Sequence, residues 1–218
     1  QAFVRLRPAE EAVERALHQV REFPGDALIR YRLGLAYLGQ GRYQSAAEPF
    51  RAALDIDPSL AAAHHGLGAS HHLRGQLAAA IDAYRRSAEL DPGRMAAHAD
   101  LAQACLEARR FEEAVAAFDR ALQLDPGRLE LRARRGIAAA AGGRIDDGVG
   151  DLRAVLAADP DHIESRVSLA QIYGAAGRLS EAVQQWQAVL RLDPDHAEAG
   201  THLSQLRLRM ADDGRGTR

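Results

Sequence analysis

The sequence predicts an all-α fold built from repeated pairs of antiparallel helices. The first observation is a proline that recurs every 34 residues, without insertion or deletion. These prolines are Pro24, Pro58, Pro92, Pro126, Pro160 and Pro194. The second observation is that apolar residues between the prolines lie three and four positions apart, which is the period of an amphipathic helix. The third is a glycine near the middle of most intervals, where the first helix of a pair ends.

Each unit of 34 residues therefore contains two helices, which we call helix A and helix B. Numbering each unit so that its proline is position 32 gives five complete units: 27–60, 61–94, 95–128, 129–162 and 163–196. Helix A ends near position 15, where a left-handed conformation favours glycine. Four units carry it there: Gly41, Gly75, Gly143 and Gly177. Helix B ends before the proline, because the residue preceding a proline is driven out of the helical conformation.

An arginine occupies position 16 in four units: Arg42, Arg110, Arg144 and Arg178. At this position the cation lies beside the negative end of the helix A dipole. The placement favours a role in ending the helix over a role in binding phosphate.

Four further positions carry the same residue types from unit to unit. Position 7 is leucine in four units, position 8 is glycine or alanine, position 20 is alanine in four units, and position 24 is aromatic in four. This pattern resembles the tetratricopeptide repeat (TPR) family over nearly the whole chain. The resemblance implies a right-handed superhelical solenoid of antiparallel helix pairs with a concave groove lined by the A helices. The sequence departs from the family at position 11, where His71, Cys105 and Ala139 replace an aromatic residue.

Both ends of the chain depart from the complete repeat. Residues 1–26 form a partial repeat that is mainly helix B, predicted over residues 9–23, with Phe3 at position 11 of an incomplete helix A. Because the chain begins inside a repeat, we expect a fragment of a longer protein with an upstream domain. Residues 197–211 are predicted to form a capping helix, followed by a disordered tail at 212–218. The sequence has neither lysine nor asparagine, which is typical of a GC-rich bacterial genome.

Composition excludes several classes of function. The 218 residues have a formal net charge of −2, whereas nucleic-acid-binding proteins usually carry a basic surplus. No apolar run is long enough to span a bilayer. A single cysteine, Cys105, cannot form a disulfide within the chain, and its position 11 faces the predicted core.

No motif in the sequence predicts catalysis or a cofactor. Gly142 and Gly143 end a helix and do not form a phosphate-binding loop. The histidine pairs that share a helix face, His64 with His71 and His65 with His72, are seven residues apart. Seven residues rise about 10 Å along a helix, which is too far for one metal ion. We therefore predict no enzyme activity, no cofactor and no metal, and interpret His64 and His71 as core substitutions.

The resemblance implies that helix A positions 2, 5, 9 and 12 line the groove and bind a protein or peptide. The candidate partner-binding residues are Tyr31, Leu35, Leu38, His65, Ala69, His72, Gln103, Leu106, Glu130, Ile137, Glu164, Val167, Gln171 and Glu198. The first half of this set is apolar with imidazoles, and the second half carries one glutamate per repeat at position 2. We expect an apolar ligand segment beside the first half and basic ligand residues beside the second. The glutamate row fits favourable placement of acids at helix N-termini equally well.

Three functions remain open from the sequence. The chain is a protein-interaction module, a substrate-positioning arm of a larger enzyme whose catalytic domain lies upstream, or a self-associating assembly scaffold. The TPR subclass that docks chaperones grips a C-terminal carboxylate with lysines and asparagines, and this chain has neither residue. The resemblance thus favours a peptide or partner protein of different chemistry.

The fourth unit departs furthest from the repeat pattern. Arg135 replaces the leucine of position 7, Gly148 replaces the alanine of position 20, and Gly150 lies in the same helix B. A glycine inside a helix costs about 1 kcal/mol relative to alanine. We therefore expect residues 129–156 to be the least stable part of the chain, and a double replacement of Gly148 and Gly150 by alanine to be stabilising.

Overall fold

The computed structural model describes residues 8–213, and within this range the chain forms twelve α-helices and no strand. The helices are α1 (Pro8–Glu22), α2 (Ala27–Gly39), α3 (Tyr43–Ile56), α4 (Ala61–His72), α5 (Leu77–Leu90), α6 (Met95–Glu107), α7 (Phe111–Leu124), α8 (Leu129–Ala141), α9 (Ile145–Ala158), α10 (Ile163–Ala175), α11 (Leu179–Leu192) and α12 (Ala197–Asp213). The predicted all-α fold is confirmed.

The five complete units each form one packed helix pair: α2 with α3, α4 with α5, α6 with α7, α8 with α9, and α10 with α11. Each helix B ends one residue before the aspartate that precedes its proline. That aspartate still donates its N–H to the last turn of the helix, as Asp57 does to the carbonyl of Ala53 at 2.9 Å. The prolines thus set the helix boundaries that the repeat spacing predicts.

The turn between helix A and helix B is left-handed at position 15. Gly41, Gly75, Gly143 and Gly177 all have a positive φ. Arg109 holds the same place in the third unit with a φ of 59°, a conformation that L-residues other than glycine rarely adopt. The turn requires this positive φ, because the N–H of the residue at position 16 donates to a carbonyl of helix A. In the third unit, Arg110 donates to the carbonyl of Cys105 at 2.8 Å.

The helices group into two compact units, residues 1–125 and 126–218, which we call the N-terminal unit and the C-terminal unit. In the N-terminal unit the position 24 aromatics are buried: Phe50, Tyr84 and Phe118. Glycine at position 8 gives space to two of these rings, since a Cβ on Gly34 would lie 2.6 Å from the Phe50 ring and a Cβ on Gly68 would lie 2.6 Å from the Tyr84 ring. In the C-terminal unit, Leu152 and Trp186 occupy the corresponding buried places.

The fourth unit corrects one expectation drawn from sequence. A Cβ on Gly148 would lie 2.5 Å from the carbonyl oxygen of Gly136 and 2.8 Å from the Cβ of Ala140. Glycine therefore permits the close approach of α9 to α8, and it is a packing residue instead of a helix defect. Gly150 has no such contact and is exposed.

Helices α1 and α12 are the first and last helices of the described range. Helix α1 begins at Pro8 and places Val13 and Ala16 against Leu33 of α2. Phe3 lies outside the described residues. Helix α12 extends to Asp213, two residues past the predicted end of the capping helix, and the remainder of the proposed tail, 214–218, lies outside the described residues.

Candidate functional site

The candidate site consists of helix A positions 2, 5, 9 and 12, which we call the A-helix face. In the N-terminal unit its first part is apolar. Leu35 is 43% exposed, and Tyr31 and Leu38 are half-buried. The Tyr31 ring lies 5.8 Å from the buried ring of Phe50, which holds it in place. Ala69 and Leu106 are also half-buried, so apolar surface continues along α4 and α6.

Two hydrogen bonds connect α4 to α6 on this face. His65 Nε2 lies 2.7 Å from Asp100 Oδ2, and His72 Nε2 lies 2.9 Å from Glu107 Oε2. Each imidazole donates to a carboxylate that is partly exposed, and the imidazole itself is about one-fifth exposed. The two bridges fix neighbouring A helices side by side on the face.

Tyr84 lies behind the two bridges. Its ring centroid is 5.4 Å from that of His65 and 6.1 Å from that of His72. Burial, together with the negative charges of Asp100 and Glu107, raises the pKa of Tyr84 well above its usual range. Tyr84 therefore stays a neutral phenol that supports the imidazoles.

Sequence reasoning predicted His65, His72 and Gln103 on the face but missed Tyr84, Asp100 and Glu107 as their partners. Gln103 also joins this group, because its amide donates to Glu107 Oε1 at 2.7 Å. A signal was present in the spacing. Asp100 follows His65, and Glu107 follows His72, by 35 residues, which is one repeat plus one position. Equal offsets of this kind place complementary groups on adjacent A helices.

The glutamate row of the C-terminal unit lies in the first turn of each helix A, and each member has a local contact. Glu130 Oε1 is 2.7 Å from Arg134 Nη2, and Glu198 Oε1 accepts a 2.8 Å hydrogen bond from Gln171 Nε2. Glu164 is 84% exposed and lies 3.5 Å from His162 Nδ1. Of the three carboxylates, Glu164 is the most exposed.

Two apolar candidates accompany these acids on the C-terminal unit. Ile137 is half-buried on α8, and Val167 is half-buried on α10, where it packs against the cluster around Trp186. Since α8 also contacts α10, the predicted residues of this unit share neighbouring helices. The glutamates at position 2 distinguish this face from that of the N-terminal unit, where position 2 carries Leu28, Ala62 and Ala96.

The other histidines have structural roles that differ from one another. His71 is buried and its Nδ1 lies 2.7 Å from Gln76 Oε1, as a core substitution should be. His64 is only half-buried, and its Nε2 donates to the carbonyl of Pro58 at 3.0 Å. The core interpretation of His64 is therefore wrong. Position 4 binds the preceding proline carbonyl in other units too: Arg30 to Pro24, His98 to Pro92, and Arg166 to Pro160.

The position 16 arginines contact residues of their own repeats, and Arg178 Nη1 also lies 3.9 Å from Asp146 Oδ1 of the fourth unit. Arg42 stacks on the Tyr37 ring at 4.6 Å, and Arg178 stacks on Tyr173 at 4.5 Å. Arg178 Nε also binds Glu181 Oε1 at 2.8 Å, and this hydrogen bond lowers the pKa of Glu181. These contacts agree with a role at the helix ends.

Neither a metal site nor a membrane span is found in the described part of the chain. Among residues 10–210, no group of three or more His, Cys, Asp or Glu side chains is arranged to hold a metal ion. No helix there is both long enough and apolar enough to cross a membrane. Cys105 is buried as predicted, and burial raises the pKa of its thiol.

Repeated helix pairs whose A helices present corresponding positions within each unit define a helical-repeat module of the protein-interaction class. The sequence matches the family description "Tetratricopeptide repeat" over residues 5–61, 58–95, 74–128 and 139–206. The chain belongs to the tetratricopeptide repeat family, which confirms the resemblance drawn from its motifs.

Similar solved structures support the fold. YrrB, described as a TPR protein with an unusual peptide-binding site, is 20% identical with a TM-score of 0.79, over 89% of this chain and 100% of YrrB. MamA is 20% identical with a TM-score of 0.69, over 76% of this chain and 97% of MamA. TTC0263, a thermophilic TPR protein of Thermus thermophilus, is 24% identical with a TM-score of 0.58, over 84% of this chain and 99% of TTC0263. No curated protein matches the sequence.

Proposed function

We propose that this chain is a non-catalytic module that binds an extended peptide segment of a partner protein on its A-helix faces. The observation that carries the proposal is the exposed, pre-organised face of the N-terminal unit. Leu35 offers apolar surface, and the carboxylates of Asp100 and Glu107 are held at fixed positions by His65 and His72. A preformed face reduces the ordering cost of binding.

The chemistry of the two faces supports a ligand of mixed character. Apolar side chains of the ligand fit beside Tyr31, Leu35 and Leu38, whereas basic side chains fit beside Glu164 and the other acids of the C-terminal unit. Rim charges of this kind mainly raise the association rate and the selectivity. The peptide-binding site in the description of YrrB agrees with this use of the fold.

A displayed peptide library would identify ligands of the whole chain, and stopped-flow kinetics would then test the faces. Replacing Glu130, Glu164 and Glu198 with glutamine should slow association and flatten its salt dependence. Three exposed acids on B helices, Glu48, Glu89 and Glu112, provide the control set for the same change. Equal kinetics for both triple variants would assign the glutamate row to helix ends alone.

A library that yields no ligand for the whole chain would contradict the proposal itself. Leu35→Ser tests the apolar part separately, since this side chain is exposed and its loss should leave the helix intact. The variant should weaken binding of any ligand that carries an apolar segment. Leu73→Ser is the control, because Leu73 is exposed but lies just after α4, at position 13.

A further inference from the structure

A cavity of about 430 Å³ opens in the C-terminal unit between α10 and α12, with α11 behind it. Ligand pockets in proteins span about 300–1,000 Å³, so this volume is sufficient for one large side chain and part of a peptide backbone. The cavity is lined by position 9 of both A helices, Gln171 and Gln205, and by Gly174 at position 12. It is therefore part of the A-helix face.

Gly174 lines the cavity without adding a side chain to it. In the other complete units, position 12 carries Leu38, His72, Leu106 or Ala140. A Cβ added at Gly174 would meet nothing within 4 Å. The glycine has an ordinary helical conformation and is not needed for a turn, since it lies within α10. Gly174 therefore leaves open a space that a side chain occupies at position 12 of every other complete unit.

The inner wall of the cavity is an aromatic pair in which Trp186 is 2% exposed and His202, with a side chain 45% exposed, presents the accessible ring. The indole of Trp186 stacks on the imidazole of His202, with ring centroids 5.1 Å apart and an interplanar angle of 14°. Leu206, which is half-buried, extends this wall with aliphatic surface. Aromatic rings gain from edge and offset-stacked contacts beyond the area that they bury. The wall therefore favours an aromatic side chain over a polar one.

The rim of the cavity is polar and carries a positive charge. Gln205 and Arg209 are four residues apart on α12, so their amide and guanidinium lie on one side of that helix. None of the nine lining residues, all within the described part of the chain, is acidic. The carboxylate of Glu198 contacts two of the lining residues, since it accepts from Gln171 and lies 3.6 Å from His202 Nε2. Arg209 therefore favours a negative group on the ligand.

We propose that this cavity is an anchor pocket for an aromatic residue of the partner peptide, and that Arg209 binds a carboxylate adjoining that residue. The inference rests on the proposed peptide-binding function and names the chemistry of one subsite. The carboxylate belongs either to an acidic side chain or to the peptide's C-terminus, and the two sources are separated by the choice of probe.

Trp186 is the chain's single tryptophan, so its fluorescence reports directly on the cavity. The first probe is a tryptophan-free hexapeptide, blocked at both ends, with a central Phe-Glu pair. It should give a saturable change in Trp186 emission, and replacing its phenylalanine with alanine should abolish that change. Replacing its glutamate with lysine should weaken binding. A peptide that ends in phenylalanine with a free carboxylate, compared with its amide, tests the C-terminal source.

Gly174→Leu fills the cavity and should lower the affinity for the Phe-Glu peptide at least about tenfold, since the phenylalanine side chain then has no space. Gly174→Ala should give an intermediate loss, which provides a graded test if the leucine variant fails to fold. Gly150→Leu is the matched control, because Gly150 also has nothing within 4 Å and lies away from the cavity on α9. Arg209→Gln should lower the affinity for the Phe-Glu peptide about two- to fivefold, which corresponds to the free energy of an exposed ion pair.

Unchanged affinity in Gly174→Leu, or equal binding of the Phe-Glu and Ala-Glu peptides, would overturn the anchor pocket. So would the absence of any Trp186 response to both the blocked and the C-terminal probes at millimolar concentration. The interaction function is judged separately by the peptide library and by the glutamate and Leu35 variants. A library ligand that binds wild type and Gly174→Leu equally would leave that function standing and remove the pocket.

Discussion

Arg135 Nε lies 2.9 Å from Asp151 Oδ2, and this ion pair joins α8 to α9 inside the C-terminal unit. The two residues occupy positions 7 and 23 of their repeat, where the second and third units have leucine and alanine. The Asp151 side chain is 10% exposed and that of Arg135 is 32% exposed. The charge at position 7 is thus compensated within the helix pair.

Removing the two partners of this pair should have unequal effects. Arg135→Leu leaves the buried carboxylate without its guanidinium and should lower the free energy of unfolding by about 1–3 kcal/mol. Asp151→Ala should cost less, because the arginine can extend its charged end to water. The double variant restores the leucine–alanine combination of the second and third units and should recover most of the loss. Urea unfolding of all four proteins gives the coupling energy, and a value below about 0.5 kcal/mol would contradict a stabilising pair.

The two glycines of α9 should respond in opposite directions to alanine. Gly148→Ala introduces a Cβ 2.5 Å from the backbone oxygen of Gly136, so α8 and α9 must separate and the melting temperature should fall. Gly150→Ala meets no atom and should stabilise the helix by up to about 1 kcal/mol, a rise of about 2–4 °C. Thermal unfolding by circular dichroism tests both, and a higher melting temperature for Gly148→Ala would contradict the close packing.

Features that depend on local backbone conformation could be predicted from the sequence, whereas features that depend on helix packing could not. The prolines and the position 15 glycines act through local backbone conformation, so their spacing alone located the helix ends. Gly148 was misread because its role depends on the distance between two helices, and helix propensity contains no information on that distance. Arg135 stands out in the sequence as an anomaly, but its partner Asp151 follows only from the packing of α8 against α9.

The candidate site was predictable only in outline. The repeat numbering placed His65 and His72 on the A-helix face, yet their hydrogen-bond partners lie one helix A away and depend on side-chain directions. His64 was assigned to the core because the family has a large aromatic residue at position 4. In the structure, His64 at this position instead forms a hydrogen bond with the carbonyl of Pro58 in the preceding repeat. Donor side chains recur there in every complete unit: Arg30, His64, His98, Arg132 and Arg166.

Tyr84 should ionise at a higher pH than an ordinary phenol. Its pKa is raised by burial first and then by Asp100 and Glu107, so alkaline absorbance titration should show one phenol ionising far above pH 10. The pKa of Tyr84 in the folded protein exceeds the unfolded value of about 10. The contribution of Tyr84 to the free energy of unfolding is therefore fully present below pH 10 and is lost as the pH rises further.

Tyr84→Phe should remove the late step and the alkaline loss of stability that belongs to it. Asp100→Asn with Glu107→Gln should shift the late step to lower pH but not to the ordinary value, because burial remains the larger cause. A wild-type titration in which all five phenols ionise together would contradict this environment.

Cys105 gives a direct measure of the stability of the N-terminal unit, because it is the only thiol and is buried in α6. Burial raises its pKa first, and the charge of Glu113 adds to this, so the native thiol carries little reactive thiolate at pH 8. Reaction with a disulfide reagent should then require opening of the surrounding helices, and the native rate should be at least about 100-fold below the urea-unfolded rate.

A variant with Cys105→Ala and Ala96→Cys moves the thiol to an exposed site on the same helix and should react at nearly the unfolded rate. Equal native rates for the two proteins would mean that Cys105 is reached without opening, and the packing of α6 against α7 would have to be looser than its buried side chains indicate.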